Sequence, residues 1–281
     1  MSELKLDQTL CDTTKGKKSP AIQFGNIFKH LMAHLAGPIM KFIIDITGLE
    51  SWHVIHEMTY FLSRNDIQHL LLKLPLGCLC ELPYSVYSCL ELKHLSVENC
   101  PIFPSLAFKG FDKLISLELR GIGTISIFLE CLISHCPFLE QLLRHNLLTD
   151  ERVIEINAPM LKSFEFTGNL SSICLKNIPL LEKLSLTSTN SFVGVRRCEV
   201  AKYLDSFSSL QHLHLNNNTL KEFLVARAGV VPTRLPFNLD YVRRLYVSGI
   251  NLGEFDAVSY FLCLIRSFPS LQFVQIEVSQ M

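Results

Sequence analysis

An apolar residue followed three and then five positions later by two more is the pattern that most restricts this chain. It sets nine short segments, the clearest reading LKHLSVENC, LKSFEFTGN and LQHLHLNNN. The copies open at Ile67, Leu92, Leu114, Leu139, Leu161, Leu181, Leu210, Val242 and Leu271, at successive spacings of 25, 22, 25, 22, 20, 29, 32 and 29 residues. Polar residues alternate with the later apolar ones, as in Leu184-Ser185-Leu186 and Leu213-His214-Leu215, and period-two patterning marks a half-buried strand. One such strand buries two or three leucine-sized side chains, each contributing roughly 1.5 to 3 kcal/mol, which does not offset the ordering entropy of the residues around it. Neighbouring copies must therefore stack, with their strands parallel and the return segments behind them.

Most spacings fall in or near the range of about 20 to 29 residues that marks a leucine-rich repeat. The expected fold is α/β: a leucine-rich repeat solenoid with a parallel concave sheet and a mixed helix and extended convex face. The eighth offset of this repeat class takes Asn or Cys, whose inward side chain satisfies backbone groups in the turn leaving the strand. Here Cys100, Asn169 and Asn218 fit, while Pro75, Ile122, Leu147, Thr189 and Ile250 do not, which predicts an irregular solenoid. Three residues before the copies stand Cys89, Phe111, Cys136, Ala158, Ile178, Phe207 and Phe268, four of them followed by a proline at Pro137, Pro159, Pro179 and Pro269. Proline stops a preceding helix and favours extended chain before it. On the convex side IFLECLISHC and AVSYFLCLIRSF have helical apolar spacing and VAKYLDSFSSL has it more weakly, whereas Val153 to Ile156 and Ile173 to Leu175 alternate as extended pieces.

Composition removes several classes of function. With 26 basic and 26 acidic residues, no global field draws the chain to nucleic acid or to an anionic membrane, and neither partner is expected. The first twenty residues carry Glu3, Lys5, Asp7 and the Lys15, Lys17, Lys18 cluster without an apolar core, so no secretory leader is expected. Ten cysteines are scattered, several at apolar repeat positions such as Cys89, Cys131 and Cys136, and no C-x-x-C pair occurs. Free thiols in a reducing compartment, cytoplasmic or nuclear, are the reading, with Cys78 and Cys80 not taken as a metal site.

Residues 1–22 read as a polar, flexible lead-in, and residues 23–281 as a repeat domain. Within it, 23–66 form an N-terminal cap and 67–281 the repeats. The cap is expected as a helix in FGNIFKHLMAHLAG, a strand from Ile39 to Ile46 and a helix in SWHVIHEMTYFLSR. The last strand, LQFVQIEV, stands with no visible cap after it; an exposed edge invites pairing, so either that repeat is covered in an atypical way or the natural product is longer.

The blocks GPIMKFIIDIT, FLSRNDIQHLLL, LPYSVYSCLELKHLSVENC, FKGFDKLISLEL, LISHCPFLEQL, INAPMLKSFEF and ICLKNIPLLEKLSL follow one another through most of the chain. In order and spacing they resemble the leucine-rich region of plant F-box/LRR proteins, particularly the F-box/FBD/LRR group. In that family the F-box docks on a Skp-type adaptor of a cullin ubiquitin ligase while the repeats hold the substrate. Residues 1–23 show no F-box-like block and the repeats are not followed by an FBD segment, so the resemblance implies the substrate-binding repeat region alone. Adaptor binding is not expected, and a truncated or alternatively spliced member, or a gene model missing its first exon, is.

No motif for catalysis, a cofactor or a metal emerges. His53, His56 and Glu57 match neither order of the zinc-protease motifs, and read as helix histidines. Gly121 and Gly123 lack a third glycine and an acidic partner, and read as a repeat turn. The chain is expected to be a non-enzymatic protein-binding module acting through the letters between the leucines. These are Lys93, His94 and Ser96; Glu118 and Arg120; Lys162, Ser163 and Glu165; Glu182, Lys183 and Ser185; Gln211, His212 and His214; Arg243, Arg244 and Tyr246; Gln272, Phe273 and Gln275. The candidate contact residues are His212, His214, Arg243, Arg244, Tyr246, Glu118 and Glu165, with Arg243, Arg244 and Tyr246 foremost because Arg and Tyr are enriched where interfaces draw their energy. The alternatives are a small-molecule sensor, with a pocket near His214 and Arg243 under the long insertion from Asn216 to Pro236, and a non-functional fragment.

Overall fold

In a computed structural model of the protein every one of the nine copies forms a strand, and each strand starts two residues after the opening apolar residue. The structure describes residues 2–7, 9, 20–34, 37–45, 52–77, 81–105, 108–122, 126–145, 152–189, 204, 207–225, 233–235, 239–251 and 255–278. Contacts sort the chain into two units, Met1–Leu139 and Glu140–Met281.

In the first unit the described strands are β1 (Ser2–Asp7), β2 (Ile39–Asp45), β3 (His69–Lys73), β4 (His94–Glu98) and β5 (Ser116–Arg120), paired parallel in that order. Helices α1 (Pro20–His34) and α2 (Trp52–Leu62) fall where the cap is expected, and Phe28 of α1 packs edge-on to both Phe42 of β2 and Phe61 of α2. A short 3-10 turn, Tyr84–Ser88, and α3 (Ser126–Ser134) complete the described elements. Strand β1 departs from the expected flexible lead-in. Ser-Glu-Leu-Lys-Leu-Asp alternates as a strand should, and pairing with β2 buries Leu6 completely; the lysines and acids around it mask that alternation in the sequence. Lys15, Lys17, Lys18, Cys78 and Cys80 lie outside the described residues.

In the second unit β6 (Gln141–His145), β8 (Ser163–Gly168), β10 (Lys183–Ser188), β11 (His212–Asn216), β12 (Arg244–Ile250) and β13 (Phe273–Val278) run parallel in that order. Behind them β7 (Ile154–Asn157) pairs with β9 (Ile173–Lys176), the two extended pieces of the short repeats joined as a separate ribbon. Helix α5 (Phe255–Ser267) is the expected AVSYFLCLIRSF helix, and α4 (Asn217–Val225) is a helix the periodicity did not announce. Most of VAKYLDSFSSL lies outside the described residues.

Two backbone devices make the copies equivalent. The opening residue closes a turn onto the apolar residue three before it: Leu92 donates to Cys89, Leu114 to Phe111, Leu161 to Ala158, Leu181 to Ile178, Val242 to Leu239 and Leu271 to Phe268, all at 3.0–3.3 Å. The upstream apolar mark is thus the buried first corner of a turn, with proline at its second position, where a fixed φ suits it. Burial there raises the Cys89 and Cys136 thiols to about 12, which leaves them as packing groups. The carbonyl of the next residue then accepts two N–H groups from the following copy: Lys162 O takes Glu182 and Lys183 at 2.8 and 2.9 Å, and Gln211 O takes Arg243 and Arg244 at 2.9 and 3.0 Å. Copies 20 and 32 residues apart therefore meet in the same register, and extra length goes into the return segment.

Two expectations of the repeat reading change. The copy opening at Leu139 has Arg144 at its fifth offset, 3% exposed and in register with Phe166; eight copies, not nine, carry the full apolar triplet. Asn169, at the eighth offset, accepts from Ser171 N at 3.1 Å in the turn leaving β8, as expected there, while at two other exit turns the bridging side chain stands before that offset. Asn99, at φ +60°, donates from Nδ2 to Leu74 O at 2.9 Å, and Asn216 bonds both backbone groups of Ser188, while Asn218 reaches Ser188 O only at 3.4 Å. Gly121, at φ +61°, carries no Cβ where Asn99 Oδ1 would stand 2.4 Å from one, so the Gly121 turn is part of this bridging and not of a nucleotide site.

Candidate functional site

Because side chains alternate along a strand, the register places the polar letters of successive copies in rows on the face opposite the core. In the second unit one row runs Ser163, Lys183, His212, Arg244, Phe273, and the next runs Leu143, Glu165, Ser185, His214, Tyr246, Gln275. Neighbours in a row stand about 4.8 Å apart. Over these rows lies an open depression of about 390 Å³, lined by Glu165, Lys183, Ser185, His212, His214, Arg244, Tyr246, Phe273 and Gln275 among others.

Its polar side chains are held in place by one another. His214 Nδ1 lies 2.8 Å from Ser185 Oγ and Nε2 lies 2.9 Å from Ser248 Oγ, so both ring nitrogens are engaged. The imidazole stacks on Tyr246 with centroids 4.4 Å apart, and the Tyr246 hydroxyl donates to the Glu277 carboxylate. That bond raises the Tyr246 pKa. Burial lowers the His214 pKa, opposed by Glu165 and Glu277, and His212 is lowered by burial and then by Arg244 and Lys183. Glu165 is met from β6 by His145 Nε2 at 3.0 Å.

Five of the seven candidate contact residues, Glu165, His212, His214, Arg244 and Tyr246, thus line one depression. Arg243 does not line it; it sits just before β12, exposed, with its carbonyl accepting from Gln272 and Phe273. Glu118 belongs to the first unit, where it accepts from Ser96 Oγ at 3.2 Å, lies 3.8 Å from Arg120 and lines a smaller depression of about 190 Å³ with Lys41, His69 and His94. The His69 and His94 rings stack there at 4.4 Å. Ser248 and Glu277 escaped the sequence reading because it stopped at the fifth offset, whereas β12 and β13 carry the same alternation further.

Among the described residues no group of three or more His, Cys, Asp or Glu is placed to hold a metal ion, and no helix is long and apolar enough to cross a membrane. Glu57 of the His53, His56, Glu57 set pairs instead with Lys29 of α1 at 3.0 Å.

The repeats match a defined family. The leucine-rich repeats of the FBD-associated F-box protein At5g56370 align with residues 56–276. The chain belongs to this FBD-associated F-box leucine-rich-repeat family. Its relatives include the F-box/FBD/LRR-repeat protein At1g13570 of Arabidopsis thaliana, 29% identical over 248 residues, which are 86% of this chain and 58% of the relative. Another, F-box/FBD/LRR-repeat protein At1g13780 of the same plant, is 25% identical over 79% of this chain and 54% of its own length. This family member therefore spans somewhat more than half the length of those relatives, and the matched part is the repeat sheet that carries the rows described above.

Proposed function

We propose that this chain is a partner-binding module whose contact surface is the open strand face of residues 140–281, and that it holds a protein in the way the repeat region of a substrate receptor of a cullin-type ubiquitin ligase does. One observation carries the reading: the Ser185, His214, Tyr246 row is locked by Ser248 and Glu277 before any partner arrives. Side chains fixed in advance lose little entropy on binding, which is the condition for a contact surface of high affinity. Cys89, Cys131, Cys136 and Cys263 are free thiols, which suits work in the cytoplasm or nucleus. The proposal concerns the repeats, and adaptor docking is no part of it.

The test is affinity capture with the wild-type chain and with a His214→Ala, Tyr246→Ala double variant. Partners specific to the wild type, recovered again with purified components and lost with the variant, support the reading; a set of partners unchanged by the variant overturns it. A second reading has one observation in its favour: a depression of about 390 Å³ lies in the size range of small-ligand sites. Thermal stabilisation by a small metabolite, abolished by the same double variant, would establish that reading in place of protein capture.

A further inference from the structure

Each solvent-reaching Lys or Arg within a described strand has a carboxylate close by, with two exceptions. Lys5 lies 3.0 Å from Asp7, Lys41 3.1 Å from Glu3, Lys73 3.9 Å from Glu98, Arg120 3.8 Å from Glu118 and Lys176 2.7 Å from Glu155. The exceptions are Lys183 and Arg244, which join no ion pair among the described residues. They fall in one row, on either side of His212, and exposed Arg243 stands immediately before Arg244. The acids that face this row are Glu182 beside Lys183 and Glu165 in the adjoining row, and Glu165 is already engaged by His145. Phe273, 52% exposed, continues the row beyond Arg244.

Cations paired on the other strands and left open at one place on the proposed contact surface mark the place where a partner supplies the anions. We infer that the Lys183, His212, Arg244, Phe273 row receives an extended acidic segment of the bound protein, with carboxylates at alternate positions followed by an apolar side chain. The spacing fits. Lys183 and Arg244 are two strands apart, about 9.6 Å, and an extended peptide presents same-side residues about every 6.8 Å. The remainder is within the swing of two long, flexible side chains. The apolar residue two further on reaches Phe273. Neutral His212 between the cations adds a hydrogen-bonding group without adding to their mutual repulsion.

This inference rests on the protein-binding reading above, and the experiment separates the two. A fluorescent peptide with alternating glutamates ending in leucine is titrated with the full chain by anisotropy, beside a matched peptide with glutamine for glutamate and a single-stranded oligonucleotide. The acidic peptide is expected to bind in a salt-sensitive way and to lose about tenfold or more in affinity in the Lys183→Glu, Arg244→Glu variant, since charge reversal at a contact penalises an anion directly. Lys41→Glu, in the other unit, should leave binding unchanged. Equal binding of the glutamate and glutamine peptides overturns the inference, as does tighter binding of the oligonucleotide. If captured proteins are lost with His214→Ala, Tyr246→Ala but retained by the charge-reversed variant, the acidic-segment inference fails while the contact surface stands. Should the reversed pair fold poorly, Lys183→Gln, Arg244→Gln gives the same comparison.

Discussion

Replacing Asn216 by alanine should destabilise the chain by about 2 to 3 kcal/mol, far more than its place in a surface turn suggests. Strand β11 ends at Asn216 because α4 begins at the next residue, so the backbone partner that Ser188 would find further along β11 is missing. The Asn216 side chain replaces it: Oδ1 accepts from Ser188 N at 3.1 Å and Nδ2 donates to Ser188 O at 2.9 Å. The same Oδ1 accepts from Thr219 N at 2.9 Å, which caps α4. Loss of a cap costs about 1 kcal/mol, and each part-buried hydrogen bond contributes about 1 kcal/mol net. The Ser188 N–H keeps Thr219 Oγ1 at 3.0 Å as a second acceptor, which holds the total near the lower end. Serine caps a helix about as well as asparagine but is too short to reach the Ser188 carbonyl. Asn216→Ser should therefore recover about 1 kcal/mol relative to Asn216→Ala. Urea unfolding of the three proteins gives the energies, and hydrogen exchange at the Thr219 amide reports the cap separately. An alanine variant within about 0.5 kcal/mol of the wild type, the usual range for an uninvolved surface site, would refute the bridging role; a serine variant indistinguishable from the wild type would reduce that role to capping.

Three further outcomes are expected. Gly110→Ala should lower the urea midpoint markedly, because φ is +113° and the added methyl would stand 2.2 Å from the His135 carbonyl oxygen that accepts from Phe111 N; an unchanged midpoint would mean that this turn yields freely. The edge strand β13 leaves Val274 and Ile276 at 37% and 43% exposure, so the chain should self-associate as its concentration rises. Lysine at both positions should suppress that association in light scattering with little loss of stability, and unaltered scattering would place the sticky surface elsewhere. Acidification should weaken the fold through His69, His94, His212 and His214, each with a pKa lowered chiefly by burial. Their contribution is present above the unfolded histidine value of about 6.5 and is lost as pH falls below it, since the unfolded chain binds those protons more readily. Replacing His214 with glutamine should flatten the urea midpoint between about pH 7 and pH 5, and an unchanged slope would show that its burial carries no such linkage.

The rows of the candidate site were legible because they depend only on alternation and repeat onset. Glu165, Ser185, His214 and Tyr246 fall in one line as soon as their copies are aligned. Arg243 looked equivalent to Arg244, yet a one-residue difference places it in the carbonyl step between copies and away from the depression. Glu118 shares the letter of Glu165 but lies in the other unit. Strand β1 was hidden because an isolated SELKLD carries too little apolar surface to distinguish it from a solvated terminus; only the β2 edge makes it a strand. Helix α4 was hidden for a related reason, since Asn217, Asn218 and Thr219 read as a turn until Asn216 caps them.

What the sequence determined by itself was the periodic part: the parallel strands, their onset, the buried leucines and the family to which the repeats belong. These follow from short-range alternation and from spacing, and each is repeated often enough to survive a broken copy such as the one with Arg144. Only the tertiary structure decided which polar letters become neighbours, which cations find a carboxylate, and that Asn99 and Asn216 bridge the turns. Most of those outcomes depend on groups 20 to 38 residues apart meeting across strands. Periodicity fixes that they share a face, while reach, burial and competing partners settle which of them bond.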